Sequence, residues 1–245
     1  STPPASARTC ANGCASSPTA RAEPRGFVPS MKPVVEVWFE FASTYSYLAV
    51  SRVEAVAEAS GVAIAWRPFL LGPIFRQKGW DTSPFVIDPA KGRYMWRDLE
   101  RRAARRGLSF ARPPIFPMNG LHAARIMTAA LETPWCGAFA RAVFAAQFAQ
   151  GRDISDQAVL RGALEVSGAD ADVWIARSST EKVRAALRAR TETAAEIGVF
   201  GAPSFRVGDE LFWGDDRLED AVDWAVAHTE AWSSAGVGPA RPGAQ

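Results

Sequence analysis

Residues 34–41 (Val-Val-Glu-Val-Trp-Phe-Glu-Phe) place apolar side chains at both odd and even positions, the pattern of a strand covered on both faces. A helical period follows at once. Tyr45, Leu48, Ala49, Val53, Val56 and Ala57 fall on one stripe, while Ser51, Arg52, Glu54 and Glu58 face away. Ser60-Gly61 predicts the end of that helix, and residues 62–66 predict a second strand. Strand, helix and strand so close together make a βαβ unit, whose strands run parallel through a right-handed crossover.

From residue 72 to residue 198 the pattern is helical, with no convincing strand. Helices are predicted over 91–106, over 120–131, from Thr133-Pro134 onward as a cap followed by proline, and over 155–166. A further one opens on Ser178-Ser179-Thr180-Glu181, a capping-box pattern, and runs to Gly198. Residues 204–207 and 210–213 then read as a hairpin about Gly208-Asp209. After Gly214-Asp215-Asp216 comes an amphipathic helix carrying Leu218, Ala221, Val222, Ala225 and Val226. The order βαβ, helical block, ββα predicts an α/β chain with a thioredoxin-like fold split by a large inserted α-helical domain. On this reading residues 31–72 and 199–230 form the thioredoxin-like domain and residues 73–198 the insertion. Residues 1–30, rich in Ser, Ala, Pro and Arg with almost no large apolar residue, read as a disordered leader, and 231–245 as a disordered tail.

A formal net charge of +2 over 245 residues argues for neither a nucleic-acid nor a membrane partner, and no run of eighteen apolar residues occurs. The basic run 97–106 is broken by acids at helical spacing and reads as a solvated helix face. Three cysteines, Cys10, Cys14 and Cys136, make no disulfide framework, so a reducing cytoplasm is the expected compartment. Cys136 reads as a small buried hydrophobe. The two histidines, His122 and His228, are far apart in unlike settings, which supports neither a histidine-bound metal nor a Ser-His-Asp triad.

The chemistry concentrates at Phe41-Ala42-Ser43-Thr44-Tyr45-Ser46-Tyr47-Leu48. In a thioredoxin fold the turn between the first central strand and its helix normally holds Cys-x-x-Cys, where free backbone N–H groups and the helix dipole favour an anion. Here Ser43 and Ser46 take those places. Without sulfur there can be no thiol–disulfide exchange at this turn, but the preference for an anion remains. A bound thiol cofactor would then supply the sulfur, with the Ser43 hydroxyl donating to its thiolate. Ser43 or Thr44 as an ordinary helix cap explains the same residues. Pro203, just before the late hairpin, is expected to be cis and to face the helix start, with Ala202 offering its backbone as an edge for a peptide cofactor. Trp213-Gly214-Asp215-Asp216-Arg217 lies at another helix start, where an acid pair suits an α-ammonium and backbone N–H groups an α-carboxylate. An ordinary Asp cap with a paired arginine fits equally well.

Ser43-Thr44-Tyr45-Ser46-Tyr47-Leu48 resembles the Ser-Pro-Tyr-Ser-Tyr/Trp-Leu signature of 2-hydroxychromene-2-carboxylate isomerases and kappa-class glutathione transferases. The resemblance continues through residues 70–75, 79–85 and 90–98, and resumes at 199–203 and 212–217. Thr44 departs from it, standing where the family usually has proline. The resemblance implies a DsbA-like fold, a homodimer, and glutathione held between Ser43, the Ala202-Pro203 edge and residues 213–216 (Trp213, Gly214, Asp215, Asp216), with Trp80 nearby. It implies an isomerase of aromatic catabolism whose substrate is a small aromatic carboxylate, with the glutathione thiolate adding to it and leaving again. Lys91, Arg93 and Asn119 are candidates to hold that substrate, and no metal is expected. Two alternatives stand beside this reading: a kappa-like transferase or peroxidase acting on another electrophile, and a DsbA-like binding or chaperone protein without catalysis.

Overall fold

In the computed structural model, which describes Thr2 and residues 32–228, β1 (Val34–Phe39) occupies the middle of a four-stranded sheet. It pairs in parallel with β2 (Ala63–Pro68) and antiparallel with β3 (Ser204–Val207), and β3 pairs with β4 (Glu210–Trp213) at the edge. The order β2-β1-β3-β4 joins the two ends of the chain in one sheet, which is a thioredoxin-like arrangement. Burial on both faces explains the doubly apolar first strand. Val35, Val37 and Phe39 enter one cluster, while Trp38 points the other way into a second cluster with Phe69, Ile74, Phe75 and Val199. The leader, the tail past 228, Cys10 and Cys14 lie outside the described residues, apart from Thr2.

Between β1 and β2 the expected single helix is two: α1 (Thr44–Val50) and α2 (Val53–Ala59). The break falls where the Ser51 hydroxyl donates to the Leu48 carbonyl at 2.8 Å and Arg52 leaves helical geometry at φ −134°. Both pieces still bury one side, through Leu48, Ala49, Val53 and Ala57, so the apolar period ran on across the break. The first strand likewise stops at Phe39 rather than Phe41, because the Ser43 N–H donates to the Glu40 carbonyl at 3.0 Å and closes a turn.

The intervening helices are α3 (Leu71–Gln77), α4 (Pro84–Ile87), α5 (Pro89–Arg105), α6 (Leu121–Ala129), α7 (Cys136–Phe148), α8 (Gln157–Val166), α9 (Ala171–Ser178) and α10 (Glu181–Glu196). Two expected caps are not caps. Thr133 donates its hydroxyl to the Ala130 carbonyl at 2.7 Å and so finishes the turn after α6, while α7 starts at Cys136. Ser178 ends α9, and Thr180 precedes α10 with its hydroxyl given to the Arg177 carbonyl. In each case a local bond back to the preceding turn satisfies the hydroxyl first. The segment shares its core with the sheet: Phe41 meets Phe144 of α7 at 5.2 Å and Tyr47 stacks on Phe148 at 5.6 Å. Each such buried aromatic contributes about 1.5–3 kcal/mol. The chain closes through a 3-10 turn (Asp215–Arg217) into α11 (Leu218–Ala227), which packs on β3 and β1. Among the described residues no helix is long and apolar enough to cross a membrane.

Gly92 brings the first turn of α5 against α4, since a Cβ there would strike the Phe85 carbonyl oxygen. Gly92→Ala should therefore lower stability. The cost of overpacking, about 1–3 kcal/mol, exceeds the gain in helix propensity of roughly 1 kcal/mol, because a backbone oxygen cannot swing aside. A lower urea midpoint with unchanged slope is the expected result.

Candidate active site

Ser43 takes its place from the turn that ends β1. Its backbone is extended (φ −83°, ψ 121°), and its Oγ accepts from the Ser46 N–H at 3.2 Å, so it caps α1. The same hydroxyl donates across to the Ala202 carbonyl at 2.8 Å, 159 positions later in the chain. The Ala202–Pro203 peptide is cis, and the Pro203 carbonyl accepts from the Gly214 N–H at 3.0 Å. That bond sets the Gly214 turn beside Ala202. The Ala202 N–H has no acceptor among the described residues.

Around this point lies a cleft of about 990 Å3. Ser43, Ala202, Trp213, Gly214, Asp215 and Asp216 all line it, drawn from three separate stretches of chain, and Trp80, Lys91 and Asn119 join them. Pro203 is buried behind Ala202 and acts through its backbone. Arg93 lies elsewhere, on a second cleft of about 610 Å3 that shares only the Phe85 and Phe116 walls with the first. The Asn119 side chain accepts from the Leu121 N–H at 3.1 Å and so holds the start of α6. The Lys91 ammonium is largely exposed, 4.0 Å from Asp88.

The mouth is aromatic. Trp213, 53% exposed, meets Phe200 at 4.8 Å; Trp80, 37% exposed, leans on Phe75 at 5.7 Å. The Lys78 ammonium lies 5.7 Å from the Trp80 ring and 5.8 Å from that of Phe200. Gly214 has φ +114° and a Cβ there would strike Asp216, so only glycine suits the turn.

The two acids of that turn part company. Asp215 is fully buried: Arg106 binds its Oδ2 at 2.5 Å, Arg102 faces its Oδ1 at 2.9 Å, and Arg52 donates to its carbonyl at 2.6 Å. Burial pushes its pKa up, against the pull of Arg106, Arg102 and Arg52. The carboxylate is thus already engaged, while that of Asp216 is exposed, 3.8 Å from Arg217. Arg102 also lies over the Tyr45 ring and near Asp98, which accepts from the Tyr45 hydroxyl at 3.1 Å. Burial first, then Asp98, push the Tyr45 phenol above its ordinary range.

Sequence reasoning missed Glu40, which lines the cleft beside Ser43. Burial pushes its carboxyl up to about 7, opposed by a hydrogen bond from the Leu71 N–H. The one available signal was an acid set between Phe39 and Phe41. Neither histidine lines the cleft, and Cys136 is buried in the main core, where burial raises its thiol pKa.

The profile of the DSBA-like thioredoxin domain matches residues 34–223. A 2-hydroxychromene-2-carboxylate isomerase of Sphingobium xenophagum is 30% identical over 190 residues, covering 77% of this chain and 96% of that protein. Glutathione S-transferase kappa 1 of Rattus norvegicus is 24% identical over 200 residues, covering 76% and 88%. Among solved structures, a 2-hydroxychromene-2-carboxylate isomerase superposes with a TM-score of 0.72 at 23% identity, covering 84% of this chain and 100% of its own.

Proposed function

Because this chain belongs to the DSBA-like thioredoxin domain family, in the group of 2-hydroxychromene-2-carboxylate isomerases and kappa-class glutathione transferases, we propose that it is a glutathione-dependent isomerase of aromatic carboxylates. The observation that carries the reading is the placement of the Ser43 hydroxyl at the start of α1, against the Ala202 edge, in a cleft lined by no cysteine. A thiol must then come from outside. The fit to a γ-glutamyl tripeptide rests on three features. The Ala202 N–H is free to pair with a peptide, the Asp216 carboxylate is open to an ammonium, and the volume is at the upper end for small-ligand sites.

When bound, glutathione supplies the nucleophilic sulfur that adds to the substrate and leaves it. This chain's residues do the rest. The Ser43 hydroxyl, released from Ala202, donates to the anionic sulfur, and the free N–H groups at the start of α1 add up to about 1 kcal/mol. Trp80, Phe200 and Trp213 give a flat aromatic substrate a place to stack, and Lys91 faces its carboxylate. Asp215 takes no ammonium in this scheme; it anchors the turn through Arg102 and Arg106. The aromatic mouth would also admit other flat electrophiles, which is what favours the transferase as second reading. We extend the proposal to a homodimer in a reducing compartment. A light-scattering mass near twice 26.4 kDa is the expected result for the dimer.

Turnover of 2-hydroxychromene-2-carboxylate with and without glutathione tests the reading. The expected result is an absolute need for the thiol and saturable glutathione binding by calorimetry. Undiminished turnover in its absence would remove the proposal.

A further inference from the structure

A thiol that reacts as its thiolate first gives up a proton, to solvent or to a protein group. A free thiol has a pKa of about 8.5, so at neutral pH glutathione arrives mostly protonated and its proton must go somewhere. Ser43 cannot take it, since its hydroxyl is a neutral donor whose oxygen already accepts from Ser46. No histidine lines the cleft. Of the four acids that do, Asp81 and Asp216 are exposed, and Asp215 is held between two guanidinium groups.

Glu40 is the fourth. It lies three residues before Ser43 in the same turn, tied to it by the bond from the Ser43 N–H to the Glu40 carbonyl. Its carboxyl pairs with no guanidinium or ammonium among the described residues, and the nearby Leu71 N–H is the one group that favours its charged form. The cations that share the cleft are Arg76, Lys78, Lys91, Arg102 and Arg217. Arg102 is committed to Asp215, Arg217 to Asp220, and Lys78 lies over the aromatic rim.

Resting on the glutathione reading, we propose that Glu40 accepts the proton of the glutathione thiol as the tripeptide binds, so that sulfur meets Ser43 as a thiolate. The S–H bond breaks, an O–H bond forms on a Glu40 carboxylate oxygen, and the electron pair stays on sulfur. One negative charge moves from a partly buried carboxylate, without a cation partner among the described residues, to a place where the Ser43 hydroxyl receives it. Burial supports the direction: a carboxyl held up to about 7 is ionised enough near neutrality to accept a proton and gains from holding it.

Calorimetric titration with glutathione at about pH 7.5, in two buffers of unlike ionisation enthalpy, counts protons released; ultraviolet absorbance counts thiolates formed. Wild type should form bound thiolate while releasing well under half a proton per thiolate. Glu40→Gln should release close to one proton per thiolate, or form no thiolate at all. Equal release per thiolate in the two proteins, or a protonated bound thiol in wild type, overturns the proposal. No binding by wild type overturns the glutathione reading and this one with it.

Folding gives a second readout. The folded pKa of Glu40 is raised from 4.5 to about 7, so its stabilising contribution is complete below 4.5 and is lost as pH rises through 7. Glu40→Gln, which cannot ionise, should gain thermal midpoint relative to wild type between pH 4 and pH 8. A flat difference would show that the carboxyl is not held in this environment.

Discussion

Ser43→Ala should reduce glutathione-dependent turnover about 10- to 100-fold, since a hydrogen bond to a charged group contributes roughly 1.5–3 kcal/mol and each 1.4 kcal/mol is a decade. The pKa of the bound thiol should rise by about one to two units for the same reason. The change also removes a helix cap and the bond to Ala202, so stability should fall by about 1–2 kcal/mol. The two roles separate with a second variant. Aspartate caps helices as well as serine does, so Ser43→Asp should recover the share of stability that comes from the cap, though not the bond to Ala202. A carboxylate cannot donate to a thiolate and repels it, so activity should stay low. Activity restored by aspartate would mean that Ser43 is a cap and nothing more. Urea unfolding and thiolate absorbance of the bound tripeptide check the pair of outcomes.

Asp215→Ala should cost about 3–5 kcal/mol of folding stability, the range for removing one partner of a buried ion pair. Asp215 is wholly enclosed, and without it Arg102 and Arg106 would face each other with only Asp98 and Glu219 nearby. These arginines come from α5 and the residue after it, so the pair joins the helical segment to the turn that carries Gly214 and Asp216. Glutathione affinity should therefore fall together with stability, although the Asp215 carboxylate touches no ligand in the proposed scheme. A loss below about 1 kcal/mol, the size seen for exposed pairs, would show that the network is solvated and the turn holds itself. The urea midpoint decides, with the slope as a check that the unfolded state has not changed.

Much of this architecture was legible in the residues. The doubly apolar strand and the Gly208-Asp209 hairpin follow from local patterning and stand in the structure, and the helical stripe stays buried although its helix is broken at Ser51-Arg52. Boundaries were less legible where a hydroxyl had a choice of partners. Ser51, Thr133 and Ser178 each bond back to a preceding carbonyl, and a linear pattern does not show which turn will offer one. The short helix α4 has four residues, too few for any period to register.

In the site, the chain itself announced a hydroxyl where a thiol is customary, a proline before the late hairpin, and an acidic turn at a helix start. Those are features of residue type and order, and local rules suffice to read them. Which acid of that turn is free was decided by tertiary structure alone. Asp215 and Asp216 are neighbours of equal chemistry, and only the arrival of Arg102 and Arg106 from 109 positions or more away buries one and leaves the other open. The same holds for Glu40, which forms no ion pair among the described residues although it shares the cleft with several cations, and for Arg93, which α5 turns toward another cleft. Charge pairing and desolvation depend on distances between segments remote in sequence, so the fold has to be formed before either can be assigned.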